Sequence, residues 1–141
     1  MIATVESCTG GMIAAALTEI PGASAVVERG YVTYTNVAKQ ELVGVHAATL
    51  DAHGAVSEEV AAEMAAGALA RAPIGLAVSV TGIAGPGRSE HKPEGRVCFG
   101  LAAPSGILTE TVDFGALGRA HVRAAARDHA LRLILTHLQN D

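Results

Sequence analysis

Ile2-Ala-Thr-Val-Glu6-Ser7-Cys8-Thr9-Gly10-Gly11, followed by the Ala- and Leu-rich stretch from Met12 to Ile20, is the segment on which the fold turns. Residues 2–6 read as a short buried strand. Residues 12–20 read as a helix stopped by Pro21-Gly22. A serine between the two lies beside unpaired helix N–H groups and the positive end of the helix dipole. Such a place suits an oxyanion or a phosphate, and Gly10 and Gly11 would let a ligand approach the backbone. The same residues also suit a plain serine or threonine cap with glycines for a tight turn. No Gly-Lys-Ser/Thr follows, so the segment is not a P-loop.

Outward from this junction, residues 26–35 are β-branched and aromatic enough for one or two strands, and Asn36 is then expected to cap a short helix that carries Lys39. Ser57-Glu58-Glu59 reads as a cap with two carboxylates where the dipole favours them, opening a helix over 57–72 with Val60, Met64 and Ala68 on one face. Residues 74–81, Ile-Gly-Leu-Ala-Val-Ser-Val-Thr, read as a central strand buried on both faces. It runs into the glycine loop Gly82-Ile-Ala-Gly85-Pro86-Gly87. Residues 96–103 and 107–114 form a hairpin in which Val97, Phe99 and Leu101 point one way and Cys98, Gly100 and Ala102 the other. That small-residue face predicts a closely packed helix. A last helix over about 118–138 sets Val122, Ala126, Ala130, Ile134 and Leu138 in one stripe. The order predicts a three-layer α/β/α sandwich with a mixed central sheet.

Composition narrows the function. The chain has 141 residues, enough for one domain, with 10 Lys+Arg against 14 Asp+Glu for a net charge of −4. It has two Tyr, two Phe and no Trp, so it offers neither a basic stripe nor a stacking platform for nucleic acid, and no nucleic-acid partner is expected. No apolar run reaches the roughly 18–20 residues of a membrane helix, so no membrane partner is expected. The start lacks a basic n-region, and Cys8 and Cys98 suggest no disulfide scaffold; a cytoplasmic protein is expected. With 28 Ala and 3% aromatic residues, the core is built of small pieces and should pack closely.

Ser7 needs a base. Lys39 is the only lysine in the first ninety residues, and desolvation can bring a lysine toward neutrality, although a solvated surface cation is the plainer reading. Tyr34 and Asn36 flank it. The glycine loop leaves the carboxyl end of the central strand, where open α/β sheets bind ligands, and its pattern is not the dinucleotide fingerprint. Arg119, Arg123 and Arg127 could pair with an anion. The six histidines show no metalloprotease spacing, and neither a metal nor a cofactor is expected. Cys8, at a helix start, is a second nucleophile candidate.

Four motifs now stand in order: Glu6-Ser7-Cys8-Thr9-Gly10-Gly11; Arg29-Gly30-Tyr31-Val32-Thr33-Tyr34-Thr35-Asn36 with Lys39; Gly54-Ala55-Val56-Ser57-Glu58; and Thr81-Gly82-Ile83-Ala84-Gly85-Pro86-Gly87 with Lys92-Pro93 and Gly95. Together they resemble the CinA C-terminal domain family, which includes nicotinamide-nucleotide amidohydrolases. The resemblance implies metal-free hydrolysis of the carboxamide of nicotinamide mononucleotide to nicotinate mononucleotide and ammonia. It implies Ser7 as nucleophile, Lys39 as general base and Tyr34 orienting them. Thr9, Gly10, Gly11, Asn36, Gly82, Gly85, Arg119 and Arg123 would bind the small-molecule nucleotide. A non-catalytic nucleotide-binding or interaction module is the competing expectation. Members carry a helix of about twenty residues before the first strand. This chain is therefore expected to be a single domain over residues 1–141 lacking that helix, with a sheet face that a homodimer or other homo-oligomer would cover.

Overall fold

The computed structural model describes residues 1–140. Five strands, β1 (Ile2–Glu6), β2 (Val27–Val32), β3 (Leu76–Gly82), β4 (Arg96–Ala103) and β5 (Gly106–Asp113), form one sheet in the order β2-β1-β3-β4-β5. β1 pairs in parallel with both β2 and β3, and the β3–β4 and β4–β5 pairs are antiparallel. The sheet is therefore mixed, and β3 lies at its centre.

Helices α1 (Met12–Thr18) and α5 (Arg119–Asn140) cover one face; α2 (Asn36–Val43), α3 (Ala47–His53) and α4 (Glu58–Arg71) cover the other. The period-2 alternation of the strands sorts side chains between the two cores. Val78 and Val80 join Val97, Phe99, Ile13 and Val122 in the first core. Ala3, Val5 and Ala77 join Val43, Val60 and Met64 in the second. The three-layer arrangement expected from the sequence is the one observed.

Small residues set the spacing of the layers. A Cβ on Gly100 of β4 would lie 2.5 Å from the carbonyl oxygen of Ala61 in α4. One on Gly67 of α4 would lie 1.8 Å from the carbonyl oxygen of Val43 at the end of α2. The close approach expected at the Cys98, Gly100 and Ala102 face is thus present, with α4 as the approaching helix.

Some boundaries differ from expectation. The first helix ends at Thr18, and a 3-10 turn over Ala23–Ala25 leads into β2, which is a single strand. Thr35, not Asn36, caps α2, its hydroxyl accepting the Ala38 N–H at 3.0 Å. Helix α3 has no sequence signal, because only Leu50 of its seven residues is buried and its apolar pattern is too short to show a period. Leu138 leaves the buried stripe of α5 and is 56% exposed.

Candidate active site

Alternation along β1 prepares the site. Ala3 and Val5 face the α2/α4 layer, so Ser7, one step past the strand, continues on that side, while Glu6 faces α1. Glu6 is 1% exposed, and its carboxylate accepts the N–H groups of Ile13 (2.8 Å) and Ala14 (3.0 Å) and the hydroxyls of Thr9 (2.7 Å) and Thr4 (3.1 Å). The start of α1 is therefore occupied by the protein's own carboxylate, which anchors the turn on which Ser7 sits.

Lys39, on the inner face of α2, is 1% exposed. Its Nζ lies 3.1 Å from Ser7 Oγ, 3.0 Å from the carbonyl oxygen of Thr33 and 3.3 Å from that of Tyr34. Ser7 Oγ is itself 3.4 Å from the Tyr34 carbonyl. Burial pulls the Lys39 ammonium down to about 8, with Cys8 and Glu90 acting weakly the other way. A neutral amine has two N–H groups and one lone pair. As the ammonium, Nζ donates to Ser7 Oγ while the Ser7 hydroxyl donates to the Tyr34 carbonyl; once neutral, with its two N–H groups on the two carbonyls, the amine would turn its lone pair to the serine hydroxyl.

Ser7, Tyr34, Asn36, Lys39, Gly82 and Gly85 line a cavity of about 300 Å³, together with Cys8, Thr81, Arg88, Glu90 and Arg119. It opens at the carboxyl ends of β1 and β3, the location expected for an α/β sheet. A larger depression of about 640 Å³ lies between the start of α4 and the β4–β5 pair, and it contains neither Ser7 nor Lys39.

The structure divides the residues expected to bind substrate into two groups. Asn36, Gly82, Gly85 and Arg119 reach the cavity. Thr9, Gly10, Gly11 and Arg123, also expected to bind substrate, lie outside the lining of this cavity. The Thr9 hydroxyl is held by Glu6, and Arg123 donates from Nε to the Cys8 carbonyl (3.0 Å) and from a terminal nitrogen to the Thr9 carbonyl (3.4 Å). These residues form a buttress beneath Ser7. Arg119 donates to the Gly85 carbonyl (2.8 Å) and to the Tyr34 hydroxyl (2.9 Å), so it ties the two walls of the cavity together. Tyr34 touches the Ser7–Lys39 pair through its backbone carbonyl, while its ring turns to Arg119.

Cys8 is 5% exposed and burial pushes its thiol up to about 12, opposed by Lys39 and Arg123. Near neutral pH it stays protonated, the wrong state for a nucleophile. Among the described residues, no group of three or more His, Cys, Asp or Glu could hold a metal ion, and no helix is long and apolar enough to cross a membrane.

A mixed α/β sheet that sets a buried amine against a serine hydroxyl at the ends of its parallel strands defines a domain with a serine–lysine pair in a ligand-sized cavity. Comparison with known proteins then gives the family. Residues 1–138 match the CinA C-terminal domain, and the chain belongs to that family. It is 50% identical over 136 residues to the nicotinamide-nucleotide amidohydrolase PncC of Enterobacter agglomerans, covering 95% of this chain and 82% of that protein. It is 49% identical to a CinA-like protein of Chlorobium phaeobacteroides over 99% of this chain, yet spans only 34% of that relative's length. The crystal structure of the competence/damage-inducible protein CihA from Agrobacterium tumefaciens superposes with a TM-score of 0.93 at 50% identity, covering 96% of this chain and 84% of that one.

Proposed function

We propose that the protein hydrolyses the carboxamide of nicotinamide mononucleotide, giving nicotinate mononucleotide and ammonia. The observation that carries this reading is the 3.1 Å separation of Lys39 Nζ and Ser7 Oγ in a buried setting that favours the neutral amine. The amidohydrolase name of a relative at 50% identity supports the substrate class.

Ser7 Oγ attacks the carboxamide carbon as its proton passes to Lys39. The carbonyl oxygen gains negative charge, and this reading assigns its stabilisation to backbone N–H groups of the lining residues Cys8, Ala84 and Gly85. The tetrahedral intermediate collapses, the C–N bond breaks, and Lys39 returns its proton to the leaving nitrogen as ammonia departs. Water, deprotonated by the same amine, then cleaves the acyl-serine ester and regenerates Ser7. The two carbonyls of Thr33 and Tyr34 hold Lys39 in place throughout, and they stabilise the ammonium that forms at each half-reaction.

Pyridine nucleotides are cytoplasmic metabolites, and the two free buried thiols suit that reducing compartment. The chain also works as a homo-oligomer in this reading. Leu108 is 67% exposed beside a mostly apolar groove of about 370 Å³ between β5 and the last turns of α5, and a second copy would cover it. The test of function is ammonia release from nicotinamide mononucleotide by the wild type and by Ser7→Ala. Release that survives the substitution rejects the serine mechanism, and binding without release favours a non-catalytic module.

A further inference from the structure

We propose that Arg88, on the glycine loop after β3, is the cation that recognises the phosphate monoester of the substrate. This inference rests on the nucleotide reading above. The chain carries a net charge of −4, so a dianionic phosphate needs a local positive group at the cavity. Three arginines stand near the site, and two of them are engaged. Arg123 spends its guanidinium on the carbonyls of Cys8 and Thr9, away from the cavity. Arg119 lines the cavity, but its two terminal nitrogens are bound to the Gly85 carbonyl and the Tyr34 hydroxyl. Arg88 lines the same cavity, is exposed, and has no hydrogen-bond or ion-pair partner among the described residues.

The loop around Arg88 is held firmly although the side chain is free. Ser89 and Lys92 exchange backbone hydrogen bonds of 3.1 and 2.8 Å across a tight turn in which Glu90 (φ 51°) and His91 (φ 63°) both take left-handed conformations. The turn is pinned to the segment between α3 and α4. Glu90 accepts the Ala55 N–H at 3.1 Å, and Lys92 Nζ donates to the carbonyls of His53 and Val56. Glu90, the carboxylate that shares the cavity wall, is thus partly satisfied by backbone, and Lys92 is directed away from the cavity lining. A free guanidinium on an anchored backbone presents a planar pair of donors that matches two phosphate oxygens. In the sequence Arg88 is one arginine in a polar loop with no pattern around it.

Equilibrium binding to the Ser7→Ala variant, which prevents turnover, separates this role from catalysis. Nicotinamide mononucleotide and nicotinamide riboside, which lacks the phosphate, are titrated against Ser7→Ala alone and combined with Arg88→Ala, Arg88→Lys or Arg132→Ala. Arg132 lies on α5 outside the cavity and controls for loss of one charge. The expected result is that Arg88→Ala weakens mononucleotide binding by about tenfold or more and narrows the preference over the riboside, with partial recovery in Arg88→Lys and no change in Arg132→Ala. Mononucleotide affinity in Arg88→Ala within about twofold of its parent, or an equal loss for the riboside, overturns the assignment. Ammonia release by the wild type, measured alongside, keeps the two ideas apart. Release with Arg88-independent binding rejects Arg88 alone, Arg88-dependent binding without release rejects the hydrolase alone, and no binding of the mononucleotide rejects both.

Discussion

Lys39 is a large side chain that is 1% exposed, and its energetics tie stability to mechanism. Its ammonium loses a proton near 8 in the folded chain, against 10.5 for the ordinary side chain. Catalysis needs the neutral amine, so kcat/KM should rise about tenfold per pH unit below that value and level off above it, measured as initial ammonia release from pH 6 to 9. Stability follows the same sign. Between the folded and unfolded values the unfolded chain binds more protons, so folding becomes more favourable as pH rises through that window. Wild type should gain roughly 1 kcal/mol between pH 7 and 9 relative to Lys39→Met, as read by urea unfolding of both proteins at each pH. A wild-type minus variant difference that stays flat would mean that the amine is already solvated.

At the scale of elements, the layers are spaced by glycines that helix and strand propensities alone would replace. Alanine is better than glycine inside a helix by about 1 kcal/mol, so Gly67→Ala in α4 should stabilise an isolated helix. In the folded chain the added Cβ meets the Val43 carbonyl at 1.8 Å, and that backbone contact decides the sign. Gly67→Ala is expected to lower stability by about 2 kcal/mol or more, and Gly100→Ala by a similar amount, visible as a drop in Tm. How much of this was readable depends on distance along the chain. The alternation of Val97, Phe99 and Leu101 with Cys98, Gly100 and Ala102 announced a close packing partner, and the Ser57 cap announced the start of α4. Gly67 gave no warning, since its neighbour Val43 belongs to another helix. Nor did Glu6 reveal that it would fill the start of α1 and thereby leave Thr9, Gly10 and Gly11 as support for Ser7. Ser7 and Lys39 were legible one by one, but only the pairing of α2 against the end of β1 brings them to 3.1 Å.

For the molecule as a whole, an Ala-rich and aromatic-poor composition closes two thin cores and leaves apolar side chains at the β5/α5 edge. Ile107 is 48% exposed and Leu108 67%. Sedimentation should find the wild type associated at micromolar concentration, and Leu108→Glu should shift it toward monomer without loss of helix content. A wild type that is monomeric throughout the concentration range would argue against self-association. The overall charge of −4 sits beside a cavity whose fixed cations are Arg88 and Arg119, so the charge that matters for a nucleotide is local. The chemistry of Ser7 is central to the proposed hydrolysis. Ammonia release from nicotinamide mononucleotide, followed for the wild type and a folded Ser7→Ala variant at pH 8, should be robust in the first and reduced by about a thousandfold or more in the second. Equal turnover in the two proteins would contradict it.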